Sequence, residues 1–96
     1  MIEADKINSI ARDVAIANLG KGAILRAISE PTTDSEGREA LRIIIVLKPN
    51  VAKKLSGDKI LDTLYQVQSR LTENGEERPV VVEYATDEEL AQGGSA

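Results

Sequence analysis

Histidine, cysteine, tryptophan and phenylalanine are all absent from this 96-residue chain, and two tyrosines are its only aromatic residues. Each absence excludes chemistry. Without imidazole or thiolate there are no ordinary donors for zinc, copper or haem iron, and the nucleophile–base pairs of most acyl-transfer sites cannot be assembled. No disulfide can form, and the lack of cysteine is compatible with any compartment. The longest apolar run, Ile43 to Leu47, falls far short of the roughly 20 residues of a spanning helix, so no membrane partner is expected. The opening Met1-Ile2-Glu3-Ala4-Asp5 carries neither the basic segment nor the apolar stretch of a secretory signal, and a cytoplasmic protein is expected.

Positive charge is also scarce: 12 Lys and Arg against 16 Asp and Glu leave a net charge of -4. Phosphate-backbone binding needs clustered cations, so a nucleic-acid partner is not expected. What is present, 42% hydrophobic and 29% charged residues, suits one folded domain, expected over 1–92 with a flexible tail over 93–96. A domain this small buries a modest share of its surface and has no covalent cross-links, so a partner surface adds stability.

Apolar periodicity supplies the elements. Ile7, Ile10, Val14 and Ala17 recur at three and four, which predicts an amphipathic helix from Glu3 to Leu19, stopped by Gly20. Ala23 to Glu30 reads as a strand ended by Pro31, and Thr32 to Gly37 as a loose polar hairpin tip. In Ala40 to Lys48, Leu41, Ile43, Ile45 and Leu47 share one strand face while Arg42, Ile44, Val46 and Lys48 share the other. Asn50 begins a short turn through Lys54. Ser56-Gly57-Asp58 then opens a long helix with its core stripe on Ile60, Leu61, Leu64, Val67 and Leu71, closed by Asn74-Gly75. Pro79 introduces a third strand through Ala85. Thr86-Asp87-Glu88-Glu89 has the form of a capping box, predicting a short terminal helix.

The expected architecture is α+β: a two-layer αββαβ sandwich, with a three-stranded mixed sheet, two helices on one face and a short C-terminal helix. A right-handed crossover through the long helix makes strands two and three parallel. The sheet face away from the helices then carries Ile44, Val46 and Val81, with one residue of the Ile24-Leu25 pair. Contiguous aliphatics on an open face predict an interaction surface, for a protein partner or a homodimer; the alternative is that the terminal segment or the connection after strand two folds over it.

No catalytic group, metal site or cofactor is expected. Glu30, Asp34, Glu36 and Glu39 form an acidic loop at the hairpin, but Asp34-Ser35-Glu36-Gly37 lacks the ligand spacing of a calcium loop, and a solvated tip explains it. Gly20-Lys21-Gly22 follows a helix, whereas a phosphate cradle opens one. Glu76 and Glu77, like Glu88 and Glu89, are adjacent carboxylates with no sign of the cleft that acid–base work requires. Tyr65 and Tyr84 read as core-edge residues. Lys48, Lys53, Lys54 and Lys59 form a basic patch before the long helix, either a solvated connection or a contact for an acidic partner or RNA.

In element order the chain resembles type II KH domains, and particularly the ribosome-binding factor A family: a leading helix, the hairpin Ile24 to Leu47, a long helix, then Pro79-Val80-Val81-Val82-Glu83-Tyr84 and an acidic tail. That resemblance implies an RNA- or ribosome-associated factor. The Gly-x-x-Gly loop with which KH domains clamp RNA is absent, so no RNA-binding residue is carried over. A second resemblance is to small bacterial αββαβ proteins sharing Glu30-Pro31-Thr32-Thr33-Asp34 before Ala40-Leu41-Arg42-Ile43, and Gly75-Glu76 before Pro79. It implies a stand-alone accessory protein, such as the regulatory partner of a toxin. The function expected is therefore a non-enzymatic interaction module, antitoxin-like in neutralising a basic protein through complementary potential.

Overall fold

A computed structural model describes residues 2–93 of the chain. Helix α1 (Ala4–Leu19) buries Ile7, Ile10, Ala11, Val14 and Ala15, one stripe of its surface, and leaves Ala17 exposed. Gly20 ends it with φ 99°, a left-handed conformation that side-chain-bearing residues rarely adopt. Strand β1 (Ile24–Thr33) pairs antiparallel with β2 (Glu39–Leu47). Helix α2 (Gly57–Glu73) crosses back to β3 (Val80–Thr86), which runs parallel to β2, and α3 (Asp87–Gly93) follows at once. The sheet order β1-β2-β3 leaves β2 central and both other strands at an edge.

The fold is the expected α+β sandwich. Leu41, Ile43, Ile45 and Leu47 of β2 join the α1 stripe, Val67 and Leu71 of α2, and Ile24 and Ala27 of β1 in one core. Asn18 ties the two long helices together, its side-chain amide donating to Gln66 Oε1 at 2.9 Å. Caps close the elements where the sequence signals them. Ser56 Oγ accepts the Lys59 amide at 3.2 Å. At the other end of α2, Gly75 donates to the Thr72 carbonyl and Glu76 to the Leu71 carbonyl, the paired bonds of a Schellman stop.

Several local expectations are corrected. Pro31 does not end β1, which continues to Thr33; β1 is an edge strand, where a missing N–H costs no ladder bond. The hairpin tip is tight, because Asp34 Oδ1 accepts the amides of Glu36 and Arg38, each at 2.9 Å, and Gly37 turns with φ 81°. On α2 the buried positions are Thr63, Val67 and Leu71; Leu61, expected in the core, is 50% exposed, and Tyr65 is 66% exposed. Of the expected tail over 93–96, Gly93 closes α3 and the remainder lies outside the described residues. No helix among the described residues is long and apolar enough to cross a membrane.

Candidate functional site

Register places Ile44, Val46 and Val81 on the sheet face away from α1 and α2, with Arg26, Ile28 and Glu30 of β1 and Glu83 and Ala85 of β3. The openness expected of this face is corrected by burial. Ile44 and Val46 are 7% and 0% exposed, and of the three only Val81, at 48%, meets solvent. Two charged straps cross the face. Arg26 Nη2 reaches Asp87 Oδ1 at 2.6 Å, passing from β1 over β2 at the level of Val46 to the start of α3. Arg42, on β2, holds Glu83 of β3 through Nε and Nη2 at 2.8 and 2.9 Å and Glu30 of β1 at 3.2 Å. Long side chains lying along a sheet cover apolar surface with their stems while their heads stay wet. Asp87 is correspondingly held below the usual carboxylate range, chiefly by its hydrogen bond from Arg26.

The acidic loop does not converge. Asp34 serves its own turn and Arg38, Glu36 pairs with Arg38 at 2.8 Å, Glu30 with Arg42, and Glu39 stands exposed at the start of β2. The described residues contain no group of three or more acidic side chains placed to hold a metal ion. Lys48, Lys53, Lys54 and Lys59 are all exposed; Lys54 and Lys59 line a cleft of about 270 Å³ beside Asn18 and Ser56, whereas Lys48 and Lys53 stand outside it.

Sequence reasoning missed a buried ion pair. The Glu76 side chain is fully enclosed, and it accepts the Arg78 guanidinium at 2.9 Å through both oxygens, the Arg78 amide at 3.1 Å and the Ile2 amide at 3.2 Å. Those Arg78 bonds outweigh the cost of burial and hold the carboxyl at about 2. The pair fastens the start of the chain to the α2–β3 connection. Beside it, Arg38, Glu39, Gln68, Glu77, Arg78 and Pro79 line an open groove of about 610 Å³. Arg38, Gln68 and Arg78 are already engaged by other partners there, so the groove presents few free recognition groups.

The outer edge of β3 is one of the two open edges of the sheet. Leu41 donates to the Pro79 carbonyl at 2.8 Å, and a parallel ladder alternates, so 79, 81, 83 and 85 turn their backbone groups to β2 while 80, 82, 84 and 86 turn theirs outward. Side chains plug both ends of that outward row. Gln68 Oε1 accepts the Val80 amide and Glu89 Oε1 the Thr86 amide, each at 2.9 Å. Between the plugs, the amides of Val82 and Tyr84 meet no acceptor among the described residues. Leu61, Tyr65 and Gln68 follow one another at four and three along α2, hence on one face, and Gln68 fixes that face beside the β3 edge. Among the described residues, three of the four large exposed hydrophobics, Leu61, Tyr65 and Val81, therefore flank one unpaired strand edge. The opposite edge, β1, is guarded by a bulge at Leu25, by Pro31 and by charged Arg26 and Glu30. Tyr84 adds a hydroxyl enclosed near Thr63, and burial pushes its pKa up.

Comparison with protein-family models, with curated proteins and with solved structures finds no match.

Proposed function

We propose that this chain is a non-enzymatic protein-interaction module whose contact surface is the strip formed by the β3 edge, Leu61, Tyr65 and Val81. One observation carries the reading: exposed apolar side chains gather on both sides of a strand edge whose central amides have no acceptor. Unpaired edges recruit another strand, and apolar patches beside them supply the desolvation that backbone bonds alone do not. Away from the strip, the net charge of -4 favours a basic client in the cytoplasm, which the chain neutralises or regulates through complementary potential.

The test is affinity capture from native lysate, at low and moderate salt and with nuclease treatment, comparing the natural chain with a Leu61→Glu/Tyr65→Glu variant. A basic protein retained after nuclease treatment and lost by the variant supports the reading. Capture of RNA or ribosomal particles, lost at moderate salt and on replacing Lys53, Lys54 and Lys59 by Glu, replaces it with the RNA-associated alternative.

A further inference from the structure

We infer that the strip receives a short extended segment of a basic protein, paired with Val82 and Tyr84, its helix-side residues an apolar one against Leu61 and Tyr65 and a lysine or arginine facing Asp58 and Asp62. The inference rests on the reading of the strip as a contact surface and adds the chemistry and conformation of what fills it.

The exposed charges of α2 are sorted by side. Lys59, Gln66 and Arg70 follow one another at seven and four along the helix, and the bond from Asn18 to Gln66 fixes that row on the α1 side. Asp58 and Asp62 instead neighbour Leu61 and Tyr65, at three, four and seven along the helix. Both are exposed, and neither makes an ion pair or a side-chain hydrogen bond among the described residues. Glu88, beside the plug residue Glu89, is likewise exposed and unpaired. The acids free to attract a partner thus border the strip, while the cations of α2 turn toward α1.

These side chains stand level with the open backbone. A helix joining parallel strands runs back along the sheet, so α2 is antiparallel to β3. Gln68 is level with Val80 through their bond. From there the helical rise puts Tyr65, Asp62, Leu61 and Asp58 about 5, 9, 11 and 15 Å along, and the strand rise puts Val82 and Tyr84 at about 7 and 13 Å. Every second side chain of an added strand points to the helix side. One apolar residue there meets Leu61 and Tyr65, and a long cation laid over Leu61 brings its head to Asp58 and Asp62.

The plugs set the length. Gln68 and Glu89 occupy the positions on either side of the window, so an incoming chain pairs with the backbone groups of Val82 and Tyr84 and then departs. That suits a short segment. Nucleic acid and other acidic surfaces are repelled by the same bordering carboxylates.

The probe is a short synthetic peptide with threonine at alternate positions and lysine, valine and lysine between them, titrated to about 1 mM against the full chain. Binding is expected to slow exchange of the Val82 and Tyr84 amides and to weaken with salt. It is expected to weaken about five-fold in Asp58→Asn/Asp62→Asn and at least about ten-fold in Leu61→Ser/Tyr65→Ser, all at positions already exposed. No binding overturns the inference. So does equal binding by the peptide with glutamate for lysine, by the peptide with alternate amides N-methylated, or by the Asp58→Asn/Asp62→Asn variant. If partners captured from lysate are still lost by the Leu61→Glu/Tyr65→Glu variant, the basic extended segment alone is wrong. If none is lost, the strip is wrong too.

Discussion

The Gln68 side-chain oxygen accepts the Val80 amide at 2.9 Å, so a helix residue closes the first open position of an edge strand. Glu89 does the same at Thr86 from the other side. Blunted ends are one way in which an edge strand is kept from uncontrolled stacking.

Gln68→Ala removes one plug. A lost side-chain acceptor for an amide that water can then reach costs about 1 kcal/mol in stability. Denaturant titration is expected to show that loss. An unchanged midpoint contradicts the account of Gln68 as the partner of the Val80 amide.

Glu76→Gln breaks the buried pair and strands Arg78. Breaking a pair this enclosed by removing one partner costs about 3–5 kcal/mol. The pH dependence follows from the depressed carboxyl. Folded Glu76 titrates at about 2 against a usual value of 4.5, so the stabilisation is fully present above pH 4.5 and is lost as pH falls from 4.5 toward 2. Chemical denaturation across that window is expected to show a fall of about 3 kcal/mol attributable to this group, absent in the variant.

Ile44 and Val81 share a sheet face and differ in fate. Ile44→Ala is expected to cost about 2–5 kcal/mol as a core truncation, and Val81→Ala no more than about 0.5 kcal/mol. Thermal melts of the two variants check this. Equal small losses contradict the enclosure of Ile44 under the Arg42 and Arg26 straps.

Much of the fold was legible because it rests on periodicity and local chemistry. The α1 stripe, the two faces of β2 and the Gly75 stop need only neighbours in sequence, and so does the capping box, in which Thr86 Oγ1 accepts the Glu89 amide at 3.2 Å. The site was less legible. Ile44 and Val46 alternate as surface residues do, and their burial depends on tertiary contacts such as the reach of Arg26 and Arg42 across that face. Leu61 fits a helical stripe as well as Thr63 does; which of them turns inward depends on how α2 rolls against β3, and that is set by packing. Glu76 followed by Arg78 and Pro79 held a faint signal, a carboxylate near a cation in a connection stiffened by proline, but its burial comes from contact with the start of the chain.

Amide hydrogen exchange, residue by residue in dilute solution, tests the strand-edge account most directly. The Val81 and Glu83 amides, turned to β2, are expected to exchange slowly, while those of Val82 and Tyr84 exchange fast. Val82 and Tyr84 amides as slow as those of Val81 and Glu83 contradict it.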